Sequence, residues 1–278
     1  MIVDCHVHLN NYEEDRVPTL SNRLELLIQV MRRNRVDFAL VLTSYQVTPG
    51  RPSTRAVVEA TRDHPFLSVV AGLNYHSFAP ADLVELADYV AEGKVRGLKL
   101  YPGYQPFYPT DPKWTPAYEF AAQHRIPVMI HTGDTYTPKG KLKYAHPLHV
   151  DEVAVDFPNV QFVICHLGNP WIRDCMEVVY KNANVYTDIS GLTLGEFEDR
   201  FELFMRRQVQ EMILYGVEPR AVLYGTDWPI CSVESYLEFM ADLAIPDRDR
   251  RRIMGENAVE LFRLDPRQSS LHQGARRS

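Results

Sequence analysis

Eight short, apolar, β-branched segments, each followed by a stretch of helical periodicity, constrain this chain more than any other feature. They fall at residues 2–8, 37–43, 67–73, 95–101, 127–131, 160–166, 185–189 and 221–226. Most are continuous hydrophobic runs with little alternation, the pattern of parallel strands covered on both faces. After Ser21, a plausible N-cap, Leu24, Leu27, Ile28 and Met31 recur at helical spacing. Pro80 opens a second helix with Leu83, Leu86, Ala87 and Val90 on its buried stripe and Gly93 as its stop. Further helices are expected around 116–124, 149–157, 172–181, 198–215, 234–243 and 248–262. Strand and helix alternating in this way predict an α/β fold, a (β/α)8 TIM barrel with its active site at the carboxyl ends of the strands. A doubly wound sheet is the alternative, but no Gly-x-Gly-x-x-Gly follows a strand. Residues 1–264 are expected to form a single domain, and 265–278 a loose tail.

With 278 residues, 45% of them hydrophobic and 24% charged, the chain can bury a large core. A net charge of −6 weighs against nucleic acid or an anionic membrane as the partner. Met1-Ile2-Val3 leads directly into the first strand with no basic and apolar leader, so a cytoplasmic location is expected. Charges or prolines interrupt every apolar run short of the roughly 18 residues a membrane span needs. Cys5, Cys165, Cys175 and Cys231 form no Cys-x-x-Cys pair, which excludes zinc-finger and thioredoxin-like readings. Strand alternation should turn Cys5 and Cys165, each preceding a histidine, outward toward the helices.

The polar residues that end the apolar runs carry the chemistry. Asp4-Cys5-His6-Val7-His8 closes the first run, so His6 and His8 project from one face of a strand end. His131 ends the fifth run, His166 the sixth, and Asp227 follows the eighth. Taken singly, each could be a hydrogen-bonded histidine or a helix cap. In a closed barrel these strand ends converge over one mouth, and histidine with carboxylate is the donor set of a hydrolytic divalent metal.

With those residues stand Gly97-Leu98-Lys99-Leu100-Tyr101-Pro102, Ile130-His131-Thr132-Gly133, Cys165-His166-Leu167-Gly168, Tyr224-Gly225-Thr226-Asp227-Trp228-Pro229 and Met254-Gly255-Glu256-Asn257-Ala258. In order and spacing the chain resembles the amidohydrolase superfamily, specifically its amidohydrolase-related (amidohydrolase 2) branch of metal-dependent enzymes. The resemblance implies one divalent ion, zinc by preference, held by His6, His8, His131 and Asp227. It also implies that Asp227 accepts a proton and that His166 hydrogen-bonds or polarises the reacting carbonyl. Lys99 stands where binuclear members carry a carboxylated lysine bridging two ions; the alternative is an ammonium that contacts an acidic substrate. One metal is the preferred expectation.

The expected activity is hydrolysis of a small carbonyl substrate, a cyclic ester, lactone or amide. Non-oxidative decarboxylation of an aromatic or dienoic acid is the close alternative. A TatD-type deoxyribonuclease and a non-catalytic barrel are more remote; the former normally carries glutamate where this chain has Lys99. Tyr101, Tyr104, Asp134, Trp171, Arg173, Ser190 and Trp228 end or follow strands and are candidates to line the pocket, with Arg173 the expected anchor for a substrate carboxylate. His146 and His149 lie in the loop after the fifth strand, and His64, His76, His124 and His272 are expected on the surface. A homodimer is an expectation of the resemblance alone.

Overall fold

The computed structural model describes residues 1–12 and 19–269. Among them, β1 (Val3–Val7), β2 (Phe38–Leu42), β3 (Leu67–Gly72), β4 (Val95–Leu100), β5 (Val128–Ile130), β6 (Phe162–Ile164), β7 (Val185–Asp188) and β8 (Val222–Leu223) form one sheet in chain order, each pair parallel. The chain is therefore a (β/α)8 TIM barrel. Every residue of Phe-Ala-Leu-Val-Leu in β2 is buried, as the unbroken apolar run requires of a strand with a filled barrel on one side and helices on the other.

The barrel closes through the segment after β8. Cys5 donates its N–H to the Tyr224 carbonyl at 3.0 Å, Asp227 to that of His6 at 2.8 Å, and His8 to that of Trp228 at 2.7 Å. Val7 and Trp228 form the matching parallel bridge. The Asp4 carboxylate clasps this seam, accepting from Thr226 Oγ1 at 2.7 Å, Thr226 N at 3.0 Å and His6 N at 3.2 Å. Thr226 is thereby drawn out of the ladder toward Asp4, so β8 is shorter than its apolar run suggests.

The helices α1 (Leu20–Asn34), α2 (Thr54–Thr61), α3 (Asp82–Ala91), α4 (Thr115–His124), α5 (Leu148–Asp156), α6 (Ile172–Lys181), α7 (Asp199–Glu211), α8 (Val233–Asp242), α9 (Asp247–Arg251) and α10 (Asn257–Phe262) follow the strands. The cap of α1 is Thr19, whose hydroxyl accepts from Asn22 N at 3.1 Å; Ser21 lies one residue inside the helix. The unexpected helix is α2. Ser53 caps it through Ala56 N at 3.2 Å, but Val57, Val58 and Thr61 make too short a stripe to register as periodicity. Gly93, at φ 71°, follows α3 in the left-handed conformation that ends a helix cleanly. Of the expected tail, 270–278 lie outside the described residues, as does His272; within it, Pro266–Gln268 form one short helical turn.

The core is continuous from barrel to helices. Phe162 is fully buried on β6, its ring 5.5 Å from that of Tyr118 on α4. Phe162→Ala is expected to cost about 3–5 kcal/mol. A urea titration should show a lower midpoint, and an unchanged midpoint would refute this account of strand–helix packing.

Candidate active site and metal centre

His6, His8 and Asp227 come together at the seam. One ligand atom from each lies within 4.8 Å of the others, and all three residues are buried. Asp227 sits at φ 69°, a left-handed residue that turns the chain sharply once β8 has ended.

The proton positions follow from their partners. His8 Nδ1 lies 2.9 Å from the Leu42 carbonyl, which only accepts, so Nδ1 carries the hydrogen and Nε2 is left with a lone pair. His6 Nδ1 lies 3.0 Å from Asp188 Oδ2, again an acceptor, so its Nε2 is bare too. Those nitrogens face the same oxygen: Asp227 Oδ1 stands 3.0 Å from His8 Nε2 and 3.8 Å from His6 Nε2. That oxygen is buried and accepts no hydrogen bond. Three lone-pair carriers converging without a proton between them are mutually repulsive unless a cation lies among them, and N, N, O is a donor set suited to a divalent ion.

Burial and its neighbours polarise these groups. Desolvation, with the Lys99 ammonium nearby, brings His6 down to about 4, and burial beside His166 holds His131 well below the ordinary histidine value. For Asp227, burial raises the pKa, whereas positive charge at the adjoining His8, His6 and His166 positions would bring the carboxyl below the usual carboxylate range. His131 donates Nε2–H to the Asp134 carbonyl at 2.9 Å, which leaves Nδ1 as its acceptor. Its ring lies 5.1 Å from that of His166, which in turn lies 4.9 Å from that of His6, so His131 shares the cavity with the His6–His8–Asp227 group without belonging to it.

His166 reaches the mouth by an unusual route. After β6 the chain makes a turn in which His166 (φ 62°) and Leu167 (φ 51°) are both left-handed. Register puts Val163 level with Met129 and Lys99, so alternation turns Cys165, two residues on, inward, where its Sγ receives Lys99 Nζ at 2.6 Å, contrary to the outward expectation; the left-handed turn instead brings His166, next in line for the outer face, to the mouth. Cys5 and Cys165 are fully buried, with burial pushing both thiols up, so neither is a thiolate nucleophile. Among the described residues, the other potential donor group, His6, Cys165 and Asp188, is already consumed by the His6–Asp188 and Lys99–Cys165 contacts.

A cavity of about 680 Å³ opens over the group, with Arg51, Lys99, Tyr101 and Lys139 among its walls. A second lobe of about 450 Å³ adjoins it at Tyr104, His131, His166 and Asp227, and carries Leu192, Leu194 and Phe201. Tyr101 and Tyr104 are among the cavity's walls, Tyr101 fixed by its hydroxyl to the Thr43 carbonyl at 2.6 Å. Asp134 lies on the second lobe. Ser190 stands behind the histidines, with Oγ 2.9 Å from both His6 Nδ1 and His166 Nδ1.

Three expectations are corrected. Arg173 points to solvent from α6 and pairs with Glu211 at 2.7 Å, so it anchors nothing in the cavity. Trp171 packs on the His146 ring at 4.7 Å, outside both lobes, because the turn after β6 carries the chain away from the mouth. Trp228 is buried in the seam, where its backbone closes the barrel. The arginine that does face the cavity is Arg51, in the loop after β2, its Nη1 3.5 Å from Ser44 Oγ. A lone arginine in a loop bears no local sequence signal that it faces inward.

A sequence profile of the amidohydrolase family (Amidohydro_2) matches residues 3–264. The chain belongs to this family. No curated protein sequence matches it. Among solved structures, an uncharacterised TIM-barrel protein from Bordetella bronchiseptica superposes with a TM-score of 0.74 at 20% identity, covering 96% of this chain and 99% of that one. A protein assigned as a 2-pyrone-4,6-dicarboxylic acid hydrolase from Pseudomonas putida gives 0.69 at 18% identity, covering 95% and 98%. A manganese-bound dihydroxybenzoic acid decarboxylase from Polaromonas, holding the inhibitor 2-nitroresorcinol, gives 0.67 at 15% identity, covering 95% and 97%. At these identities the likeness is one of fold. Among the described residues, no helix is long and apolar enough to cross a membrane.

The packing of this amidohydrolase-family site is tight enough to test. Gly191 has φ 62°, and a Cβ there would lie 2.7 Å from His166 Nδ1 and 3.1 Å from Asp227 Oδ2. Gly191→Ala is expected to fold with a loss of about 1–3 kcal/mol and to displace the His166 ring. Imidazole NMR shifts of His166 should move while those of the distant His124 do not.

Proposed function

We propose that the chain is a metal-dependent hydrolase of a small, carboxylate-bearing carbonyl compound such as a lactone, cyclic ester or amide. The observation that carries the metal reading is the unprotonated convergence of His6 Nε2, His8 Nε2 and Asp227 Oδ1. In this proposal His131 completes the donor set through Nδ1, and the ion is a single zinc. When bound, the ion supplies Lewis acidity toward water and the substrate carbonyl.

The other roles belong to the chain itself. His166 donates Nδ1–H to the Ser190 carbonyl at 3.0 Å, so the neutral ring offers Nε2 to the cavity as a proton acceptor. Burial lowers its pKa, which keeps it neutral near pH 7. A neutral ring in this tautomer cannot donate to a carbonyl oxygen, so His166 is assigned as the base that takes a proton from attacking water and returns it to the leaving group. Asp227 serves as a second proton acceptor. Lys99 Nζ, beside Cys165 Sγ and 5.4 Å from the centre of the Tyr101 ring, is assigned as an ammonium that contacts substrate, not as a second-metal bridge. Arg51 is assigned to the substrate carboxylate, in place of Arg173, and the apolar second lobe to the body of the substrate.

Decarboxylation is the second reading. It is supported by the decarboxylase among the structural neighbours and by the three cations, Arg51, Lys99 and Lys139, on one cavity. A lactone panel run beside an aromatic-acid panel, following acid release and carbon dioxide, separates the two readings: acid release alone is expected.

Metal analysis of protein purified without chelators should find about one divalent ion per chain. Asp227→Asn should lower affinity by more than the roughly 10–100-fold that loss of an outer-shell partner costs, and abolish turnover. Two ions per chain, or an active Asp227→Asn variant, would overturn the assignment. Arg51→Gln is expected to raise KM for a carboxylated substrate by roughly 10–150-fold with little change in kcat; an unchanged KM would remove Arg51 from the substrate site.

A further inference from the structure

Asp188, at the end of β7, is fully buried and lines neither lobe of the cavity, yet hydrogen bonds from the histidine-bearing ends of β1 and β6 meet on it. Its Oδ2 accepts His6 Nδ1–H at 3.0 Å. Its Oδ1 accepts the backbone N–H of His166 at 2.9 Å and that of Ser190 at 3.1 Å, together with the Ser190 hydroxyl. Ser190 extends the junction, its Oγ 2.9 Å from both His6 Nδ1 and His166 Nδ1 and its carbonyl 3.0 Å from the latter.

We propose that Asp188 is the positioning residue of this site: one oxygen fixes the His6 tautomer that bares Nε2 toward Asp227, while the other holds the left-handed turn that carries His166. The division between the two oxygens is what makes the proposal specific. His166 occupies φ 62°, a conformation that an L-residue adopts only where its surroundings hold it. The bond from its own N–H to Oδ1 is the contact available to do so. A carboxylate is required because every contact is a donor: two backbone N–H groups, a hydroxyl and a ring N–H all point at it.

Asp188→Asn discriminates this role from simple space-filling. The Oδ1 side faces two backbone donors that cannot rotate, so the asparagine carbonyl must occupy that side. The amide NH2 then replaces Oδ2 and aims its hydrogens at His6 Nδ1, which must become an acceptor. The His6 proton moves to Nε2, the nitrogen that faces Asp227. Shape and burial are unchanged; the direction of one hydrogen bond is reversed.

The test is the imidazole nitrogen NMR spectrum of the metal-free protein at about pH 7, in wild type and in Asp188→Asn, with divalent-ion affinity measured by chelator competition. Wild type should show the Nδ1–H tautomer at both His6 and His166. In the variant His6 should switch to Nε2–H, and affinity should fall by roughly 10–100-fold. A folded variant that keeps Nδ1–H on His6 overturns the proposal. Should the variant not fold, the wild-type spectrum decides, since an Nε2–H tautomer at His6 there overturns it as well. The affinity arm rests on the metal reading proposed above; a wild type that binds no divalent ion refutes that reading and leaves the tautomer arm standing on its own.

Discussion

Everything at the mouth of this barrel depends on the seam between β1 and the segment that follows β8. Backbone bonds from Cys5, Asp227 and His8 join stretches more than 200 residues apart in the chain, and the Asp4 carboxylate locks them by taking the Thr226 hydroxyl and N–H. Asp4 is fully buried, and desolvation pushes its carboxyl up to about 7 against those bonds. A buried acceptor that exchanges hydration for directed donors fixes register strongly, because a slip would leave it unpaired. The register brings Asp227 Oδ1 opposite the two Nε2 atoms of His6 and His8.

Protons in the site are arranged to point outward. His6, His8 and His166 each donate Nδ1–H into the protein, to Asp188, Leu42 and Ser190, and His131 donates Nε2–H to Asp134. What remains facing inward is a set of lone pairs. Such an arrangement destabilises the protein in isolation and is the kind of local conflict that marks a functional site. The surrounding barrel outweighs it: β2, β5 and β6 are apolar and buried along their whole length.

Much of this was legible along the chain. Eight apolar runs placed the eight strands within a few residues, and the polar residues that end or follow the first, fifth and eighth runs, His6, His8, His131 and Asp227, are found on the wall of one cavity. What escaped was local and short. α2 has too few turns to show a period, and Thr19 caps α1 from just outside the pattern. The turn that brings His166 to the mouth, and so leaves Cys165 facing inward beside it, comes from left-handed backbone at His166 and Leu167, residue types that carry no preference for it.

Sequence alone determined the barrel and the family, because alternating strands and helices of this length close in few ways and the histidine and aspartate motifs mark the strand ends. Only the tertiary structure decided which nitrogen of each histidine is bare, that Asp188 serves both His6 and His166, and that Arg51 rather than Arg173 faces the cavity. Those outcomes depend on partners distant in sequence and on the path of loops. A helix arginine one turn past a strand end and a loop arginine after another are indistinguishable until the barrel has placed one in solvent and the other over the mouth.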